Sequence, residues 1–122
     1  MTTEQNKAWL KELKMVDKEQ QLSLIQNRFF RQKTFEKSDN DDIPVLVVDG
    51  IPISEQMDSN LRDFLAYQLS AEKIQIEVLD KEPEQLHVNK RWTGLILLNI
   101  TDKKTRKKMY KWETNTNSQQ KR

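Results

Sequence analysis

Residues 43–53 have the sequence IPVLVVDGIPI, and this stretch decides the fold of the 122-residue chain. The apolar, largely β-branched run before Asp49 is typical of a buried strand, and Asp49-Gly50 is a strong hairpin-turn signal. Gly50 adopts a positive φ without steric cost, so we expect the chain to reverse there. Pro52 has no N–H to donate, so the returning arm is predicted to be short and to lie at a sheet edge.

Two more strands and a helix are predicted further along the chain. Asp58 or Ser59 is expected to cap a helix over residues 60–69. Residues 73–79, KIQIEVL, alternate between apolar and polar side chains, as a half-buried strand does. Residues 95–100, LILLNI, are predicted to form a strand that is buried on both faces. A helix between strands permits a right-handed crossover, so part of the sheet is expected to be parallel.

The first part of the chain is predicted to be helical and to cover one face of this sheet. Its apolar residues recur at helical spacing on an otherwise polar segment: Trp9, Leu13, Val16, Leu22, Ile25 and Phe29. Asp17 either interrupts this segment or caps a second helix.

These elements predict a small α+β fold: a mixed sheet with a crossover helix, covered by a long N-terminal helical segment. We expect a helical segment at residues 1–35 and a polar linker at residues 36–42. A single α/β domain at residues 43–112 and a polar tail at residues 113–122 follow. Within the domain, a short helical turn is predicted at residues 82–89.

Three segments of the central domain resemble successive strands of the plug domain of TonB-dependent receptors. They are PVLVVDGIPI at residues 44–53, KIQIEVLDK at 73–81 and TGLILLNITDKK at 93–104. The plug family has a Gly-rich segment before its last strand, whereas HVNKRWTG at residues 87–94 keeps only Gly94.

The resemblance implies a plug-like fold, of the kind that occurs as small modules in Bacteroidetes envelope proteins. It also implies a protein that acts through contacts with a partner rather than through catalysis. The residues that match the family's turn positions are Asp49, Gly50 and Gly94, and the role implied for them is turn geometry.

The composition disfavours enzymatic, metal-binding and cofactor-binding functions. The chain has no cysteine, and its only histidine, His87, shares a helical face with Glu84 alone among the nearest acids. The acidic residues Asp39, Asp41 and Asp42 lack the central Gly and terminal Glu of an EF-hand. No nucleophile–base arrangement or phosphate loop is recognisable. We therefore expect a protein that is not an enzyme and holds no metal or cofactor.

No targeting or membrane-spanning segment is recognisable in the sequence as given. The N-terminal stretch has no apolar core of a signal peptide, and the longest apolar run covers residues 95–98. The sequence as written is consistent with a cytoplasmic protein, or with a periplasmic one if a leader precedes it.

A basic cluster at residues 102–112, DKKTRKKMYKW, follows the last predicted strand. Its candidate binding residues are cations and aromatic rings: Lys103, Lys104, Arg106, Lys107, Lys108, Tyr110, Lys111 and Trp112. Such cations can neutralise phosphates, and the rings can stack on bases or lie at a membrane interface. Alternatively, the cluster is a solubilising end, with Met109 and the aromatic residues packed back on the core.

The leading hypothesis is a non-catalytic protein–protein interaction or scaffold module associated with a bacterial envelope assembly. Its contact surface would be the sheet edge at residues 51–53 or the polar N-terminal helix. The alternative is binding of nucleic acid or an anionic surface through residues 103–111. The net charge of +2, from 21 basic and 19 acidic residues, is too balanced for a dedicated nucleic-acid-binding protein.

Overall fold

The computed structural model describes residues 2–31, 43–53, 57–81 and 92–120, with side chains in the last range to Lys111. In chain order, the elements are α1 (Thr3–Met15), α2 (Lys18–Phe29), β1 (Val45–Val48), β2 (Ile51–Pro52), α3 (Ser59–Tyr67), a 3-10 turn (Ala71–Lys73), β3 (Ile74–Leu79), β4 (Leu95–Ile100) and α4 (Lys103–Gln120).

The four strands form one mixed sheet in the order β2-β1-β4-β3. β1 and β4 are parallel, while β2 pairs with β1 and β3 pairs with β4 in the antiparallel sense. The prediction of a small α+β fold with a mixed sheet is confirmed. The strand order also leaves β2 and β3 as the two edges.

The sheet contributes one face to the core. Its buried side chains lie on alternate positions of β1, β3 and β4: Leu46, Val48, Ile74, Val78, Ile96, Leu98 and Ile100. The prediction that β4 is buried on both faces is wrong, because Leu95 and Leu97 are half-buried and Asn99 is exposed. On the opposite face of the sheet, Val45 of β1, Leu95 of β4 and Leu79 of β3 lie side by side across the three strands.

The N-terminal segment forms two helices that belong to the same domain as the sheet. The Asp17 side chain accepts a hydrogen bond from the backbone N of Gln20 and caps α2. Leu13 of α1 and Ile25 of α2 lie in one core with the buried strand residues. Helix α2 ends at Phe29, and residues 32–35 of the predicted helical segment lie outside the described residues.

Helix α3 begins as predicted, with Asp58 accepting hydrogen bonds from the backbone N of Asn60 and of Leu61. It ends at Tyr67, slightly before the predicted residue 69. The predicted linker at residues 36–42 and helical turn at residues 82–89 lie outside the described residues.

The basic cluster and most of the predicted tail form α4, which the sequence-based interpretation missed. Asp102 Oδ2 accepts hydrogen bonds from the backbone N of Thr105 at 3.0 Å and from its hydroxyl at 2.7 Å. This is an N-cap, and the hydroxyl contact is the main cause that lowers the pKa of the Asp102 carboxyl. Thr105 and Met109, four residues apart, are buried and hold α4 on the domain.

Candidate binding surfaces

The Asp49–Gly50 turn joins β1 to β2 with both residues in left-handed conformations. Their φ angles are 50° and 85°, as a type I′ hairpin turn requires. A Cβ on Gly50 would meet no atom within 4 Å. Backbone conformation, rather than lack of space, therefore favours glycine here.

The Asp49 carboxylate connects this turn to α4. Its Oδ2 accepts a hydrogen bond from the Tyr110 hydroxyl at 2.8 Å and lies 3.3 Å from Arg106 Nε. Its Oδ1 accepts a long bond from the backbone N of Ile100 at 3.4 Å, and Arg106 Nη2 donates to Ile100 O at 2.6 Å. Only 9% of the Asp49 side chain is exposed. We call Asp49, Arg106 and Tyr110 the Asp49 anchor.

The predicted binding residues of α4 thus divide into two groups. Arg106 and Tyr110 are directed to Asp49, while the lysines of the helix are exposed: Lys103, Lys104, Lys107, Lys108 and Lys111. The side chain of Trp112 lies outside the described residues. Among the rings that the structure describes on α4, Tyr110 is directed to the β1–β2 turn, where its hydroxyl donates to Asp49.

Gly94 lies at the other end of β4, away from the basic helix. Its φ is 107°, and an added Cβ would lie 2.7 Å from Leu10 Cδ1. Its carbonyl accepts a hydrogen bond from the backbone N of Val45 at 3.0 Å. Nearby, the Trp92 indole N–H donates to Asp80 O at 3.2 Å. The structure therefore assigns Gly94 to packing of α1 against the sheet and does not bring it to the lysines.

β3 is the longer of the two edge strands. Thr101 N donates to Lys73 O at 2.8 Å, which fixes the pairing so that residues 73, 75, 77 and 79 direct their backbone groups to β4. Ile74, Ile76 and Val78 then direct their backbone groups outward. In the part of the chain that the structure describes, no hydrogen bond reaches the outward groups of Ile76 and Val78.

Two lysines from the helices mark the ends of this open edge. Lys18 Nζ donates to Ile74 O at 3.0 Å, and Lys14 Nζ lies 3.1 Å from Asp80 Oδ1. The hydrogen bond from Lys14 is the largest cause that lowers the pKa of Asp80. A groove of about 370 Å³ runs along the edge and is lined by Lys18, Gln75, Ile76, Glu77 and Asn99.

β2, the opposite edge, offers no comparable pairing surface. Ile53 N donates to Leu46 O at 2.9 Å, and Ile51 pairs with Val48, so Pro52 is the residue whose backbone faces outward. Proline has no N–H to donate to an added strand.

The sequence did not predict a binding role for the edge residues Ile76 and Val78 or for Lys18 at the end of the edge. The alternation in residues 73–79 predicted the strand correctly. Its edge position depends on the strand order, which no local pattern specifies.

The described residues contain no candidate metal site and no candidate membrane-spanning helix. These residues contain no group of three or more His, Cys, Asp or Glu placed to hold a metal ion. No helix in the same ranges is long and apolar enough to cross a membrane. His87 and the acidic residues Asp39, Asp41 and Asp42 lie outside them.

No protein-family model, curated protein or solved structure matches the chain.

Proposed function

We propose that this chain is a non-catalytic protein-binding module, which binds an extended segment of a partner protein along the edge of β3. The observation that carries the proposal is the set of outward N–H and C=O groups of Ile76 and Val78, which have no partner among the described residues. Unpaired groups on a strand edge are a template for an added strand. The sequence suggested the sheet edge at residues 51–53 as a contact surface, and we propose the edge at β3 in its place.

The side chains along β3 indicate which segment would fit. On the face opposite the core, Leu79 lies beside Leu95, Glu77 beside Leu97 and Gln75 beside Asn99. A partner strand would place one residue next to each member of this β3 row. We expect an apolar residue next to Leu79 and a basic or amide residue next to Glu77, with each matched pair contributing about 0.2–1 kcal/mol.

The two lysines limit the length and the strength of this contact. Because Lys18 already donates to Ile74 O, the partner's backbone bonds would concentrate at Ile76 and Val78. A lysine on an edge strand is also a common means of preventing indiscriminate pairing. We therefore propose a short, reversible contact, in which the partner displaces Lys18 only when its side chains match the β3 row.

The resemblance to receptor plug domains stays a prediction, and it supports a binding role over a catalytic one. An association with a bacterial envelope assembly is part of the same proposal, because the plug-like modules in question occur in envelope proteins.

A photo-crosslinking experiment tests this function in the protein's own cells. A photoreactive amino acid at Gln75, beside the edge, is expected to capture a distinct partner. The same amino acid at the exposed Lys7 of α1 is the matched control and should not capture it. Ile76→Pro removes an outward N–H without removing a bond to β4, and it should abolish capture.

A second variant keeps the test decisive if Ile76→Pro unfolds the protein. Lys18→Ala frees Ile74 O and should increase the yield of the same adduct. Binding at this edge would be refuted if the photoreactive residues at positions 75 and 7 gave equal yields of the same adduct. It would also be refuted if the yield from position 75 stayed unchanged both in a folded Ile76→Pro protein and in Lys18→Ala.

A further inference from the structure

The exposed face of α4 carries a row of lysines that the Asp49 anchor leaves outside. Burial of Thr105 and Met109 fixes which side of the helix faces the core. Lys103, Lys107 and Lys111 recur every four residues on the outer side, with Lys104 and Lys108 beside them. At a rise of about 1.5 Å per residue, Lys103 and Lys111 are about 12 Å apart along the helix.

Four of these lysines are not held by a hydrogen bond or an ion pair among the described residues, although the Asp102 carboxylate attracts Lys104 electrostatically. Among residues 2–31, 43–53, 57–81 and 92–111, no hydrogen bond or ion pair involves Lys103, Lys104, Lys107 or Lys108. By contrast, Arg106, on the same helix, is paired with Asp49. The ammonium groups of the four lysines are thus available to a ligand.

The arrangement is also unfavourable for the helix itself. Like charges four residues apart repel each other, as Lys103 and Lys107 do, and as Lys104 and Lys108 do. Lys103 and Lys104 occupy the first turn, which contains no acidic residue and where the helix dipole disfavours cations. A surface adapted only for solubility would gain stability from acidic residues at these positions. An anionic ligand accounts for lysines at all four.

We infer that the row of Lys103, Lys104, Lys107 and Lys108 binds the phosphate backbone of a nucleic acid duplex without reading its sequence. Lysine ammonium groups bind phosphates as point charges, without the fixed geometry of a bidentate guanidinium, and the guanidinium of Arg106 is held at Asp49. The Tyr110 hydroxyl is held there too, which disfavours base stacking. Apart from the Tyr110 ring, whose hydroxyl is bonded to Asp49, the exposed side of α4 offers no large apolar side chain, among the residues described, to enter a bilayer.

The length of the row and its charge set the size of the expected effect. Lys103 and Lys108 are about 7.5 Å apart along the helix, a length over which the two strands of a duplex together carry about four phosphates at about 1.7 Å per charge, equal to the number of lysines. Four neutralised phosphates predict a slope of about −3.6 for log K against log salt concentration. Affinity should then fall about 150-fold between about 50 and 200 mM salt. This site does not involve β3, so its failure would leave the protein-binding proposal intact.

The test measures fluorescence anisotropy of a short labelled DNA duplex with the full chain across this salt range. Lys103→Glu with Lys104→Glu should lower affinity at least tenfold and reduce the slope to about −1.8 or less. The same variant should keep or raise the melting temperature, because acids in the first turn suit the helix dipole and pair with Lys107 and Lys108.

The matched control is Lys7→Glu with Lys11→Glu, which makes the same charge change on an exposed part of α1. It should change affinity much less than the α4 variant. Equal losses in the two variants would overturn the site, as would a wild-type slope near zero. Binding to phosphatidylserine-containing vesicles with no binding to the duplex would overturn the choice of ligand.

Discussion

The Asp49 anchor makes a quantitative prediction about how α4 is held to the domain. In Tyr110→Phe, Asp49 Oδ2 loses a hydrogen-bond donor at 2.8 Å, while the ring is retained. Hydrogen bonds to charged groups contribute about 1.5–3 kcal/mol, but Tyr110 is 39% exposed, so we expect a loss of about 1 kcal/mol. For a domain of this size, that loss lowers the melting temperature by about 4 °C.

A double-mutant cycle isolates the contact. Asp49→Asn keeps a residue type that tolerates the left-handed turn conformation while removing the negative charge that Tyr110 and Arg106 contact. It should cost about 1–2 kcal/mol alone, since the Arg106 ion pair is half-exposed and contributes little. Combined with Tyr110→Phe, the loss should be smaller than the sum by about 0.5–1 kcal/mol.

Urea unfolding followed by tryptophan fluorescence gives each free energy of unfolding. Lys107→Ala, on the outer side of the same helix, is the control and should change stability by less than about 0.5 kcal/mol. Additive losses within about 0.3 kcal/mol would refute the anchor, because uncoupled residues behave in this way. So would a Tyr110→Phe protein as stable as the wild type.

Three further predictions concern the turns and the cap of α4. Gly50→Ala should cost about 1–2 kcal/mol through its φ of 85° alone, and Gly50→Asn clearly less; equal thermal stability of all three proteins would contradict this. Gly94→Ala should cost more, about 2–4 kcal/mol, because its Cβ also meets Leu10, and chemical denaturation should rank it below Gly50→Ala. The pKa of the Asp102 carboxyl is lower in the folded protein than its ordinary value of about 3.9. Its contribution to the free energy of unfolding is therefore present above a pH of about 3.9 and is lost as the pH falls through the lower, folded-state pKa. Asp102→Asn, which retains a capping side chain, should therefore make acid unfolding less steep, and an unchanged pH profile would exclude this role.

Local patterns predicted most of the described elements, because their signals are confined to a few adjacent residues. Gly50 marked the β1–β2 turn, Asp58 marked the start of α3, and the alternation in residues 73–79 marked β3. The burial of β4 was predicted wrongly because an apolar run does not reveal how many layers cover it. Leu95 and Leu97 lie on the face opposite the core, as the one-sided packing of the helices requires.

The functional surfaces were only partly predictable, since they depend on contacts distant in sequence. The basic cluster was evident from composition, but α4 was not recognised, although Asp102 as a cap and Thr105 with Met109 at helical spacing were available signals. Arg106 and Tyr110 differ from the lysines of α4 because they contact Asp49, which lies more than fifty residues earlier in the sequence. The β3 edge depends on strand order, which follows from the parallel pairing of β1 with β4.

The most direct test of the central proposal is amide hydrogen exchange along β3, measured residue by residue by NMR. An open β3 edge predicts alternation: the amides of Gln75 and Glu77, bonded to β4, should exchange slowly, and those of Ile76 and Val78 should exchange rapidly. Addition of the crosslinked partner's segment should then protect Ile76 and Val78 selectively. Slow exchange of all four amides in the isolated chain would mean that the edge is already occupied, which would contradict the account.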